Sequence, residues 1–151
     1  MSAKLKFLFF VAVLIWVAGI FIEGLIQYSD ALAFAYPFVH KIYSTVCHQQ
    51  AAKLIEYGNG YHTLVCARCT GIYSGGLLSA SVLLFIPKLR IKTGKFILLA
   101  ALPMVADVTL YSSGVYEYSK TIAFITGLLF GSVGIVYIYF GLQKLLDKNE
   151  K

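Results

Sequence analysis

Three cysteines stand in the longest polar stretch of an otherwise apolar chain. Cys47 opens the triplet Cys47-His48-Gln49, and Cys66 and Cys69 form a Cys-x-x-Cys pair. Two residues between paired cysteines let the chain fold around one ion, and a tetrahedral zinc site takes two further ligands from elsewhere. Cys47 is the natural third ligand, so this spacing predicts a zinc site formed by three thiolates.

Two histidines are candidates for the fourth ligand. On a helix, His48 would diverge from Cys47 by roughly 100°, so both bind one ion only where the helix ends or distorts. His62 comes shortly before Cys66, in a segment whose backbone can bend to suit. Both His48 and His62 stay open as metal ligands. Three thiolates would also suit iron or monovalent copper.

Asp107 lies inside a later apolar segment, where an unpaired carboxylate is costly. It lies about 16 Å along a helix that begins near Phe96 and rises toward the face that carries the cysteines. Arg68 stands between the paired cysteines, so we expect Asp107 and Arg68 to share a pocket with the metal. Asp107 would serve as a ligand, as a base acting on a water at the metal, or as the partner of Arg68. These two residues are therefore the catalytic candidates.

The metal site itself has two interpretations. A site closed by four protein ligands would be structural and would hold the outer loop on the helices. A site completed by Asp107 and a water would support hydrolysis of a lipid-linked or extracytoplasmic substrate. Whether the protein is an enzyme stays open.

Two other classes of function compete with a metal site. Cys66 and Cys69 lie at the amino end of a predicted helix, where the helix dipole and Arg68 favour the thiolate. This would suit a thiol-disulfide oxidoreductase linked to a quinone, although such proteins usually need a second cysteine pair. The other class is a small transporter or channel subunit in which Asp107 lines a polar path.

The composition places these residues in an integral membrane protein, with the lipid bilayer as its first partner. Hydrophobic residues make up 59% of the 151 residues and charged residues only 13%, which lies outside the range of soluble domains. Four stretches approach the about 17 to 25 apolar residues that cross a bilayer, namely residues 7–26, 70–87, 96–111 and 121–142. The sequence predicts an all-α membrane protein with four transmembrane helices in a single domain, residues 1–151.

The net charge of +6 is better explained by the basic residues that orient a membrane protein than by nucleic-acid binding, because these residues lie at the ends of the apolar segments. The side richer in Lys and Arg faces the cytoplasm. One side of a four-helix topology carries Lys4, Lys6, Lys88, Arg90, Lys92, Lys95, Lys144, Lys148 and Lys151, and the other carries Lys41, Lys53, Arg68 and Lys120. Both termini are therefore expected in the cytoplasm and the cysteine cluster on the outer face. An odd number of thiols on that oxidising face cannot all pair within one chain, whereas a metal uses all three.

The loops complete this architecture. The first apolar run is longer than the about 7 to 15 residues of a signal peptide, so we expect a retained helix. Apolar residues recur at helical spacing after Pro37, which predicts an amphipathic interfacial helix over residues 37–57, ended by Gly58 and Gly60. The short basic link at residues 88–95 predicts that the second and third spans pack as a hairpin.

Glycines at four-residue spacing occur on the second and fourth predicted spans. They are Gly71 with Gly75, and Gly127 with Gly131. Such spacing lets helix backbones approach closely, so we expect these two helices to pack tightly. Gly127 and Gly131 are also a candidate contact for a homo-oligomer.

Together these motifs resemble a family of small prokaryotic membrane proteins called domain of unknown function 2085. The resemblance rests on Cys47-His48-Gln49, on the block Val-Cys-Ala-Arg-Cys-Thr-Gly-Ile-Tyr at residues 65–73, and on residues 103–107 and 127–131. It spans most of the chain, and His62 matches a histidine that precedes the cysteine block. The resemblance implies that the cysteines, Asp107 and the glycines belong to one shared site, and it names no reaction.

Overall fold

The computed structural model describes residues 3–58, 60–85 and 94–149. Its elements in chain order are α1 (Ala3–Ile20), α2 (Ile22–Leu25), α3 (Asp30–Val46), β1 (Leu54–Tyr57), β2 (Tyr61–Cys66), α4 (Ala67–Phe85), α5 (Lys95–Ser112) and α6 (Lys120–Asn149). Short 3-10 turns lie at Ile26–Tyr28 and Ala51–Lys53. The chain is mostly helical as predicted, and the two-stranded sheet corrects the expectation of an all-α fold.

Helices occupy all four predicted spans, but they do not qualify equally as membrane spans. Helix α5 and the Lys120–Leu146 part of α6 are long and apolar enough to cross a bilayer. Helix α1 qualifies only when Lys4–Ile20 is joined to Ile22–Tyr28, from which it is bent by 82°. Over the described residues, α4 does not qualify on the same criterion. The structure thus supports two or three spans, and the predicted four are not confirmed. Pro87, the predicted end of the second span, lies outside the described residues.

Helices α4 and α6 form the tightest contact of the bundle. A Cβ atom at Gly71 or Gly75 would collide with a main-chain carbonyl oxygen of α6, and one at Gly127 or Gly131 with a carbonyl oxygen of α4. The predicted packing of the second and fourth helices is therefore confirmed. Gly127 and Gly131 face α4 within one protein molecule, a different role from the oligomer contact considered above.

The other helices pack around this pair. Helix α1 lies against α4, and α5 packs mainly against α6. Helix α5 also contacts the start of α4, where Asp107 pairs with Arg68. The hairpin expected for the second and third spans therefore stays a prediction. Its link, residues 88–95, lies mostly outside the described residues.

The bend after α1 is held by a tyrosine from β1. The hydroxyl of Tyr57 donates to the Phe21 carbonyl at 2.9 Å and accepts from the Gly24 N–H at 3.1 Å. A break in a helix leaves such backbone groups without their usual partners, and burying them unpaired is costly. Tyr57 thus lets the chain turn at the end of α1.

The predicted interfacial helix over residues 37–57 is wrong at both ends. Helix α3 begins at Asp30 with Pro37 inside it, and it ends at Val46. The chain then forms an antiparallel hairpin in which Leu54 pairs with Cys66 and Tyr57 with Tyr61. Gly58 and Gly60 have φ of 58° and 88°, so they form the hairpin turn instead of ending a helix. The buried β2 residues Thr63, Leu64 and Val65 hold the hairpin on the bundle.

One end of the bundle, which we call the cysteine end, gathers α2, the end of α3, the hairpin and the start of α4. Its buried core contains Ile20, Ile22, Tyr43, Cys47, Leu64 and Val65. Cys66 and Cys69 pack against this core. The cysteines are therefore part of a packed structure and do not lie on a loose loop.

Candidate metal centre

Cys47 is positioned by the end of α3. It is the first residue after the helix, with extended backbone angles, and its N–H still donates to the Tyr43 carbonyl at 3.0 Å. Two residues later, Gln49 adopts a positive φ of 48°. Its side-chain Nε2 donates to the Leu64 carbonyl at 2.8 Å. This turn and this hydrogen bond direct Cys47 against β2.

The paired cysteines are positioned by the junction of β2 and α4. Cys66 is the last residue of the strand, and Cys69 lies in the first turn of the helix. The Thr70 hydroxyl donates to the Cys66 carbonyl at 3.2 Å. The Cys66 N–H donates to Cys47 Sγ at 3.2 Å. The junction therefore presents both sulfurs, and one amide, toward Cys47.

The three sulfur atoms lie within 4.8 Å of one another. Zinc–sulfur bonds of about 2.3 Å in a tetrahedron place sulfurs about 3.8 Å apart. Closing around an ion would thus need shifts of about 1 Å or less from this arrangement. All three cysteines are free thiols. The donor set and its spacing fit a zinc ion.

The surroundings of Cys47 favour its thiolate. Hydrogen bonds from the Cys66 and Cys69 side chains lower the pKa of the Cys47 thiol, and the Cys66 N–H adds to this effect. Burial acts in the opposite direction but is the weaker influence. The same hydrogen bonds, with Cys47 and Cys66, raise the pKa of the Cys69 thiol, so the negative charge of the cluster lies on Cys47. A thiolate is the form of cysteine that binds metal.

The two histidines differ in position. His48 is exposed and lines the same cavity, of about 350 Å³, as the three cysteines. His62 lies on β2 opposite Glu56, and its backbone N–H donates to Glu23 Oε2 at 2.7 Å. Within the described part of the chain, no histidine or carboxylate atom joins the three sulfurs. The structure therefore brings His48 to the site's cavity and does not bring His62 there.

Arg68 and Asp107 form a buried ion pair beside the cysteines. Arg68 Nη2 lies 2.5 Å from Asp107 Oδ2, and the Asp107 side chain is only 2% exposed. The hydroxyl of Tyr116 donates to the other carboxylate oxygen of Asp107. Of the three roles considered for Asp107, this geometry matches the partner of Arg68, since both of its oxygens are already engaged.

Sequence reasoning missed a cluster of lysine and tyrosines next to this pair. Lys53 Nζ lies 4.6 Å from the ring centroid of Tyr111 and 5.2 Å from that of Tyr118. Burial raises the pKa of Tyr118 to about 12. Lys53 also lines the cysteine cavity. The sequence carried one signal for Lys53, because Lys53 is among the four basic residues assigned to the side of the membrane that carries the cysteines.

An apolar helical bundle with a polar, cysteine-bearing end defines a small integral membrane protein. The chain belongs to the DUF2085 family of predicted membrane proteins, whose model matches residues 47–138, from the first cysteine to the interior of α6. It is 30% identical, over 85% of this chain and 86% of the relative, to the uncharacterized protein MJ1492 of Methanocaldococcus jannaschii. No solved structure shows a significant match.

Proposed function

We propose that this protein is a membrane metalloprotein in which Cys47, Cys66 and Cys69 bind one zinc ion. The observation that carries the proposal is the convergence of three sulfurs within 4.8 Å from three separate elements. Cys66 and Cys69 are neighbours in the chain, so the informative contact is the approach of Cys47, which comes from the end of α3, 19 residues before Cys66.

The principal role of the ion in this proposal is structural. Zinc would join α3 to the β2–α4 junction. Gln49 and the Cys66 amide already hold this geometry, so the ion would find its ligands preorganised. A preorganised site lowers the entropic cost of binding.

For the fourth ligand, we propose His48 or a small ligand from the cavity. His48 lines that cavity and follows Cys47 directly, where the helix has ended. If His48 binds, the site is closed and structural. If a ligand from solution binds instead, the same zinc can act as a Lewis acid in hydrolysis of a lipid-linked or extracytoplasmic substrate.

Asp107 would act through Arg68 in this proposal. Its engagement with Arg68 and Tyr116 favours a positioning residue over a metal ligand or a group that lines a transport path. We also propose that both termini are cytoplasmic and that the cysteine end faces outward, in keeping with the distribution of Lys and Arg.

Metal analysis of purified protein tests the proposal. We expect close to one zinc per chain in the unmodified protein, with all three thiols protected from alkylation, and less than half that amount in Cys47→Ser. His48→Ala should weaken zinc binding if His48 is the fourth ligand, whereas the matched control His62→Ala should not. Metal-free protein with a Cys66–Cys69 disulfide would instead support the thiol-exchange function.

A further inference from the structure

Basic side chains line the cavity beside the cysteines. Lys53 and Arg68 both line it, together with the amide side chains of Gln49 and Gln50. At about 350 Å³ its volume lies at the lower end of the range of small-ligand sites. The cavity is thus large enough for a small polar group and is rich in hydrogen-bond donors.

Arg68 is incompletely satisfied within the protein. One terminal nitrogen binds Asp107, but its Nε is buried and has no hydrogen-bond partner among the described residues. This nitrogen has almost no accessible surface, so a ligand in the cavity would meet the exposed part of the side chain, which is 20% of its surface. Asp107 holds one side of the guanidinium in place, and Arg68 still lines the cavity.

Lys53 supplies a second positive charge that is held in place. Its ammonium lies against the rings of Tyr111 and Tyr118, and the Arg68 guanidinium lies 6.0 Å from the Tyr118 ring centroid. Ring faces attract cations without neutralising them. In the described residues, Lys53 has no carboxylate partner. Two cations therefore flank Tyr118, of which only Arg68 is paired with an acid.

We propose that this cavity binds a phosphoryl group, carried by an anionic lipid headgroup or by a free phosphate ester, through Lys53 and Arg68, the two cations that line it. Arginine and lysine are the side chains that recognise phosphate oxygens. The cavity lies at one end of a membrane-embedded bundle, where lipid phosphates lie. This inference deepens the proposed function by naming a ligand class for the same site, and its placement next to zinc rests on that function.

Calorimetry on the detergent-solubilised full chain tests the binding of free phosphates. We expect glycerol 3-phosphate to bind the unmodified protein, and Lys53→Gln to weaken binding about tenfold, the effect of losing one charge-assisted hydrogen bond. Lys41→Gln is the matched control, because Lys41 is an exposed lysine on α3 that does not line the cavity. Equal weakening by both variants would overturn the proposal.

Native mass spectrometry distinguishes the lipid source. Retention of phosphatidylglycerol over phosphatidylcholine, lost in Lys53→Gln and kept in Lys41→Gln, identifies an anionic headgroup. Binding of glycerol 3-phosphate with no lipid preference identifies a free ester. If neither ligand binds, the proposal is refuted.

Zinc content, measured on the same samples, separates this inference from the proposed function. A full zinc complement without phosphate binding refutes only the inference. If the purified protein contains no zinc and still binds phosphate through Lys53, only the zinc site is refuted.

Discussion

The α4–α6 contact and the cysteine end are built by different physical means. The α4–α6 contact is a close approach of two helix backbones permitted by glycine. The cysteine end depends on thiols, one buried ion pair and hydrogen bonds between residues distant in the chain. Helix packing in membranes is specified by small residues at regular spacing. A polar site depends instead on how residues distant in the chain are placed relative to one another. The two regions should therefore respond differently to substitution.

The largest expected effect is at the glycine contact. Gly131→Ala places a Cβ against the Ile72 carbonyl oxygen, and neither backbone can yield without separating the helices. We expect a loss of about 3 kcal/mol or more in the free energy of unfolding, measured by thermal or denaturant unfolding in detergent. Gly134→Ala is the matched control, because nothing lies within 4 Å of its added Cβ. Similar stability of the two variants would contradict the close contact.

Removing the proposed zinc ion should have the next largest effect, and only at the cysteine end. A ligand present at about 100 times its dissociation constant stabilises the folded state by about 2.7 kcal/mol. We therefore expect a zinc chelator to lower the Tm of the unmodified protein and to leave the Tm of Cys47→Ser unchanged. An equal shift in both proteins would show that the chelator acts elsewhere.

The Arg68–Asp107 pair should contribute less, because Arg68 keeps some contact with solvent, its side chain being 20% exposed. Breaking a fully buried pair costs about 3 to 5 kcal/mol. For Asp107→Asn we expect a loss of about 2 kcal/mol, measured by denaturant unfolding. The double variant Arg68→Gln with Asp107→Asn should lose less than the sum of the single variants. Strict additivity would mean that the two side chains do not interact.

The smallest expected effect is at the bend between α1 and α2. Tyr57→Phe removes the hydroxyl that bonds Phe21 and Gly24, and we expect a loss of about 1 kcal/mol. Tyr61→Phe is the comparison, since the Tyr61 hydroxyl makes only an exposed 3.4 Å contact with Gln27. Amide hydrogen exchange at residues 21–26 should increase in Tyr57→Phe alone.

The sequence predicted the helical regions well and the connecting region poorly. Helices α4, α5 and α6 begin within three residues of the predicted spans, because long apolar runs in a membrane have few alternatives to a helix. Gly58 and Gly60 carried an ambiguous signal, since glycine both ends helices and forms hairpin turns. The hairpin was chosen by the burial of Leu64 and Val65 against α1 and α3, a tertiary effect that local spacing does not contain.

The candidate site was likewise predicted from the sequence only in part. The spacing of Cys66 and Cys69 predicted two neighbouring sulfurs, because two residues between them suffice to bring them together locally. From the sequence, the approach of Cys47 to this pair was only a hypothesis. The structure agrees with it, because the three sulfurs lie within 4.8 Å of one another. His62 stays away from the sulfurs because it lies on a strand, and four residues of extended chain span about 13 Å.

The amino-acid sequence by itself determined the membrane class, the positions of the long helices and the presence of a cysteine pair at the start of one of them. These properties follow from composition and from spacings of a few residues. Only the tertiary structure decided that Asp107 pairs with Arg68, 39 residues away, and that Lys53 lies against the rings of Tyr111 and Tyr118. Such pairings depend on how whole elements pack, because the free energy that selects them comes from burial and charge across the fold.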